Sequence, residues 1–267
     1  MISVSGTQLD HATSAGLQQL QSGIDGLLDY ETQVARAKAS WDQKPTALFG
    51  RLKDTLAAMC SGNRRCVYCE DSLADEIEHM RPKDLFPEQA YVWDNYVLAC
   101  GPCNGPKNNR FAVLAPDDAL VDITRKRGAA VQRPVTGRYA LIDPRVENPL
   151  DLLWLDFRTW RYVANTEDEN SVLAKRASYT IDVLGLNKRD DLVRGRKAAF
   201  SNFQSRLESW IEHRVNWSEE RKTSFIEDVR MERFRGVWAR MKRHRQDVPV
   251  LAEIGAMFDV AHEALEW

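Results

Sequence analysis

The stretch that decides the fold reads Cys66-Val-Tyr-Cys69-Glu70, then Glu76-Ile-Glu78-His79-Met-Arg81-Pro82-Lys83. It closes with Trp93-Asp-Asn95-Tyr-Val-Leu-Ala-Cys100-Gly-Pro-Cys103-Asn104-Gly-Pro-Lys107. Four of the five cysteines of the chain form two C-x-x-C pairs here, and 30 residues separate Cys69 from Cys100. Paired knuckles of this form point to zinc, held by Cys66, Cys69, Cys100 and Cys103. Four thiolates make a closed tetrahedral site with no open position, so that ion is expected to be structural. A plain zinc ribbon separates its knuckles by roughly 15–20 residues. The longer interval here contains a Glu-His pair and an Asn, on a loop tied down at both ends.

His79 stands apart from the other four histidines because Glu78 precedes it and Arg81 and Lys83 follow. Acid, imidazole and cations this close together are what phosphodiester hydrolysis needs. The imidazole can take a proton from water, the carboxylate can hold a divalent metal, and the cations can meet phosphate oxygens. Arg81, Lys83, Lys107 and Arg110 are the candidate phosphate contacts. Cys60 lies outside the pattern, at the end of an apolar helical stripe, and reads as a small buried hydrophobe.

Outward from this core the chain is mostly helical. Leu48, Leu52, Leu56 and Met59 form one stripe, opened by Pro45 and ended at Ser61-Gly62-Asn63. Leu17, Leu20, Ile24, Leu27 and Leu28 suggest an earlier helix, weakened by three glycines. Residues 112–150 have loop character, and Leu152 to Val163 reads as a β-hairpin turning near Arg158-Thr159. Beyond Asn170 four helical stripes follow, the first ending at Gly185. The expected class is α+β, mainly α-helical. The expected regions are helical 1–62, a zinc-stapled core 63–115, a loop-rich connection with a hairpin 116–165, and helical 166–267.

A net charge of −2 and 43% hydrophobic residues fit an ordinary globular protein without a globally basic surface. Phosphate contact needs only clustered cations. Further clusters at Arg125-Lys126-Arg127 and from Arg240 to Arg245 are ordinarily solvated faces. No apolar run approaches the ~20 residues of a membrane span. Residues 1–10 lack a signal-peptide pattern, and the reading is a cytoplasmic protein.

The central segment resembles the HNH endonucleases, whose ββα-metal motif is two short strands followed by a helix. The resemblance covers about Arg64 to Phe111. It implies that His79, ending the first strand, is the general base, and that Glu78 binds the catalytic metal. It further implies that Asn95, on the second strand, positions the loop and His79, and that Asn104 is a second metal ligand. Lys107 matches the basic residue of the helix. Glu stands where Asp is usual, so Glu78 could share or cede its role to Glu76. The neutral Asn104 leaves the metal open between Mg²⁺ and Mn²⁺.

The wording of the motif, Cys-Val-Tyr-Cys-Glu, Ile-Glu-His, Arg-Pro-Lys and a late Cys-x-x-Cys-Asn, is also similar to the PtuB-like HNH nucleases of bacterial Septu and retron antiphage systems. That resemblance implies flanking helical regions and an ABC-type or SMC-like ATPase partner. The motif reads phosphates rather than bases, so the expected substrate is nucleic acid, with DNA ahead of RNA. Two alternatives stay open at this level: a solitary restriction or mobile-element nuclease, and a zinc-stapled binding module without catalysis.

Overall fold

A computed structural model describes residues 1–4 and 6–267. The fold is α+β with helices dominant, and its centre is a hairpin of two four-residue strands, β1 (Glu76–His79) and β2 (Tyr96–Ala99). They pair antiparallel with Glu76 opposite Ala99 and His79 opposite Tyr96. Cys100 caps the short helix α4 (Gly101–Lys107), with Pro102 tolerated in its first turn because that N–H has no helical partner. This is the expected ββα order, with His79 ending β1. Asn95 lies one residue ahead of β2, in the 3-10 turn Trp93–Asn95, rather than on the strand itself.

Three helices precede the hairpin. α1 (His11–Asp25) starts at Asp10 and α2 (Tyr30–Asp42) at Asp29, each aspartate accepting from the backbone N–H three residues on at 2.8 Å. Such caps each contribute about 1 kcal/mol. α3 (Thr46–Met59) carries the anticipated stripe and buries Leu48, Phe49, Leu52, Leu56 and Met59, with β2 among the elements it packs against. Fully burying side chains of this size contributes about 1.5–3 kcal/mol each. α2 is absent from the sequence expectation because only Val34 and Ala37 are buried along its length. Cys60 is half-buried rather than buried, with its thiol donating to the Leu56 carbonyl at 3.4 Å.

Residues 112–150 are not all loop. β3 (Ala112–Leu114) pairs on one side with β4 (Leu120–Asp122) and on the other with β5 (Arg138–Tyr139). Strands of two or three residues are too short to display alternation, and pairing supplied by β3 makes them strands. After α5 (Pro149–Leu152) comes the expected hairpin, β6 (Leu153–Asp156) with β7 (Arg161–Ala164).

Four main helices close the chain: α6 (Val172–Val183), α7 (Asp190–His213), α8 (Glu219–Met231) and α9 (Arg235–His244), with the shorter α10 (Ala252–Val260) behind them. α6 stops where the sequence indicates: Gly185 has φ +61°, and Leu186 N–H reaches the Ile181 carbonyl at 3.0 Å. A left-handed residue closing the last turn this way favours glycine. α8 has no counterpart in the sequence expectation, since only Phe225 and Val229 of its side chains are buried. Among the described residues no helix is long and apolar enough to cross a membrane.

The C-terminal helices pack directly on the first knuckle. Glu70 is 1% exposed; its carboxylate accepts from Gly236 N–H at 2.5 Å and its carbonyl from Phe234 N–H at 3.1 Å. A Cβ at Gly236 would lie 2.6 Å from the Glu70 carboxylate, so this approach requires glycine. One continuous buried cluster therefore includes residues from both terminal regions and the centre.

Candidate active site

The two knuckles meet as expected. The sulfurs of Cys66, Cys69, Cys100 and Cys103 lie within 4.8 Å of one another, all buried, with Cys69 and Cys100 3.8 Å apart. Local geometry produces this convergence: Glu70 N–H closes onto the Cys66 carbonyl with Glu70 at φ +62°, and Asn104 N–H closes onto the Cys100 carbonyl. Hydrogen bonding among the thiols, led by Cys100, drives Cys69 toward thiolate. Four thiolates this close repel one another unless a cation sits among them, so the tetrad fits a metal ion. Arg189, just before α7, donates to Cys103 Sγ at 3.0 Å, a contact that no sequence spacing announces.

His79 is 6% exposed and lines a cleft of about 140 Å³ together with Glu78, Lys83, Asn104 and Trp41. Its ring packs against Trp41 of α2 with centroids 4.2 Å apart and against Tyr96 at 5.1 Å. Nε2 lies 2.9 Å from the Ala90 carbonyl, which can only accept, so Nε2 carries the proton. The neutral ring then keeps an unprotonated Nδ1. Burial, assisted by the nearby Lys83 charge, pushes the imidazole pKa down to about 3, so the ring is neutral at ordinary pH.

Asn95 is fully buried and joins the site to the loop after β1. Its Oδ1 accepts from Arg81 N–H at 2.8 Å, and its Nδ2 donates to the Arg81 and Gln89 carbonyls, each at 2.9 Å. The segment so clamped ends at Gln89, directly before Ala90, whose carbonyl holds His79. An Asn95→Ala chain should keep its metal and its fold at a cost of about 1–3 kcal/mol for unpaired backbone groups. We expect it to lose most of any hydrolysis that relies on His79 as a base, because Ala90 drifts from His79. Thermal melts with metal analysis, alongside cleavage rates, check this; wild-type rates would remove Asn95 from the site.

Glu78 is buried, and burial raises its carboxyl above the ordinary range against the opposing pull of Lys107. Its Oε1 forms an ion pair with Lys107 Nζ, which also donates to the His79 carbonyl at 2.9 Å. Lys107 has no exposed surface, so it is not a phosphate contact of the kind the sequence reading assigned. The reason is electrostatic: a buried carboxylate needs a counter-charge, and α4 supplies it. Asn104 Nδ2 donates to Glu76 Oε2 at 2.7 Å, which fixes the amide and leaves Oδ1 free. Glu76 is exposed on the same face of β1 as Glu78, two residues away.

The other three cations remain at least partly accessible. Lys83 lies over the Trp41 ring at 5.2 Å and lines the cleft. Arg81 is engaged with Asp143 at 3.2 Å and stacks on Tyr139, and Arg110 is paired with Asp182 at 3.0 Å. Trp41 is the site residue that sequence reasoning missed. Its signal was weak: one tryptophan at the end of a largely polar helix.

With this geometry in view, residues 66–110 match the HNH endonuclease family. The wider chain is similar to the Septu protein PtuB of Bacillus thuringiensis, 25% identical over 191 residues. The match takes in 70% of this chain and 61% of the Bacillus protein, less than two thirds of that protein's length.

Proposed function

We propose that the chain is a metal-dependent HNH endonuclease that hydrolyses phosphodiester bonds of nucleic acid, DNA ahead of RNA. The observation that carries this reading is His79, kept neutral in a cleft with its Nε2 committed to the Ala90 carbonyl. A base held this way presents Nδ1 to water and accepts its proton as the water attacks phosphorus. The Ala90 bond strengthens as the imidazole becomes charged, and Asn95, bonded to the adjacent Gln89 carbonyl, positions the segment that carries it. Glu78 and Asn104 offer the oxygen donors for Mg²⁺ or Mn²⁺ through Glu78 Oε2 and Asn104 Oδ1. When bound there, the ion would neutralise charge on the scissile phosphate and the leaving 3′-oxygen. Lys107 takes half of the Glu78 carboxylate, and Glu76 orients Asn104. Lys83 is the cation best placed for a phosphate oxygen in the cleft, with Arg81 and Arg110 further out.

Zinc is the ion we assign to the four thiols, since softness and closed geometry both favour it. We further propose that the nuclease is the effector of an antiphage system, working with an ABC-type or SMC-like ATPase. Similarity to a Septu protein supports this over a solitary nuclease. A binding module without catalysis has no use for a desolvated, carbonyl-held histidine beside a carboxylate.

The experiment is cleavage of labelled DNA and RNA by the purified full chain, alone and with any ABC-type or SMC-like ATPase encoded beside it. Weak chelation should stop cleavage and Mg²⁺ or Mn²⁺ restore it, while zinc stays bound. The two proteins should co-elute on size exclusion. The full chain is needed because Arg189, Phe234 and Gly236 hold the knuckles, so a chain ending near residue 165 would lose them. Cleavage that ignores added metal would remove the metal mechanism, and separate elution would remove the partnership alone.

A further inference from the structure

The cleft around His79 is the narrow middle of a longer depression. Toward α2 and the loop after β4 it shares Asn108 and Asn109 with a hollow of about 910 Å³. On the other side it shares Trp41, Ile77 and Asn104 with a hollow of about 610 Å³. The two sides differ in charge. The larger is lined by five cations against Glu31 and Asp84, whereas the smaller sets Lys44 and Lys53 against Asp42, Asp75 and Glu76.

Within the larger hollow most charges are already matched. Asp84 pairs with both Lys38 and Arg125, and Asp182 pairs with Arg110. Lys126 and Arg127 are exposed and, among the described residues, have no carboxylate partner. They sit on a turn closed by Ala129 N–H onto the Lys126 carbonyl, with Gly128 at φ +81°. Arg125 fastens this turn to the body of the protein. Its guanidinium donates to the Asp84 carbonyl at 2.6 Å, the Tyr30 hydroxyl at 2.9 Å and the Gln132 carbonyl at 3.1 Å. Asp84 directly follows Lys83 of the cleft, so the turn is referenced to the site through one residue.

We propose that the Lys126–Arg127 turn is a phosphate-binding arm, and that the DNA backbone runs from the His79 cleft along the larger hollow onto it. This rests on the nuclease reading of the cleft. Two unmatched cations on an anchored turn, continuous with the cleft, give a negatively charged polymer a directed path. They do so in a protein whose net charge of −2 provides no general attraction. Arg125 acts as the anchor, while Lys126 and Arg127 meet the phosphates.

The test uses the full chain carrying His79→Ala, so that a labelled DNA duplex is bound without being cut. Fluorescence anisotropy across a salt series compares this parent with an added Lys126→Glu/Arg127→Glu pair. An Arg194→Glu/Lys197→Glu pair on α7, outside all three hollows, matches the change in charge. The groove pair should weaken binding about tenfold or more and lower the log–log salt slope by about 1.8, since each neutralised phosphate contributes ~0.9. The α7 pair should do neither. In the His79-intact chain, the groove pair should raise KM and leave kcat at saturating DNA near its original value. Equal weakening by both pairs, or an unchanged salt slope in the groove pair, overturns the arm and leaves the nuclease reading intact. Wild-type cleavage by the His79→Ala parent overturns His79 as the base, whereas no cleavage by the His79-intact chain overturns the nuclease reading itself.

Discussion

Replacing His79 with alanine should abolish cleavage while leaving the metal content and the overall fold in place. Loss of a general base costs ~10²–10⁴-fold in rate. The substitution also opens a space beside Trp41 and Tyr96, which pack against the ring. A His79→Gln chain keeps most of that volume and an amide for the Ala90 carbonyl but lacks a usable base. Both variants should therefore be inactive, with His79→Gln the more stable. The pH profile carries a second signature. With the folded pKa pushed down to about 3, the base is neutral above that value, so no acid limb from free His79 should appear near pH 6.5. Stability follows the same sign. An unfolded chain binds a proton at His79 as pH falls below about 6.5, while the folded chain resists until about 3, so acid should destabilise the protein through this window. His79→Gln should lack that component. Activity of either variant at the wild-type rate would assign the proton transfer elsewhere.

The second large effect is at the thiols. A Cys103→Ser chain should lose its tightly bound metal and with it the folded centre, because apparent zinc binding of ~10–16 kcal/mol is folding energy in such sites. Loss should spread beyond the knuckles. Cys103 receives Arg189 at the start of α7, and the first knuckle carries Glu70 with its bonds to Phe234 and Gly236. Losing that tie should loosen the C-terminal helices as well as the ββα hairpin. Metal analysis should give about one zinc per wild-type chain, and stringent chelation should reproduce the mutant. Hydrogen exchange would locate the damage, with β1, β2 and the start of α7 losing protection together. A Cys103→Ser chain that melts and cuts like the wild type would remove the metal from the structural account.

Much of the candidate site was legible in the sequence because its information is local. Two C-x-x-C turns, a His ending a short strand and an Asn after the last cysteine each depend on residues within a few positions of one another. The knuckles therefore converge, and His79, Glu78 and Asn104 share one cleft, as the spacing suggests. Long amphipathic helices such as α3 and α7 were legible for the same reason, since periodicity reports a buried face. α2 and α8 were not, because each buries only two side chains and leaves too faint a stripe.

What the tertiary structure alone decided are the partners brought in from a distance. Lys107 is an exposed cation by pattern, yet the buried Glu78 carboxylate draws it inside as a counter-charge. Trp41 covers His79 from a helix ending well before the motif begins, and Arg189 reaches the second cysteine knuckle from long after it. A sequence can state which groups carry charge, sulfur or aromatic surface. Which of them share a desolvated interior is set by packing across the whole chain, where each charge taken out of water must find its partner.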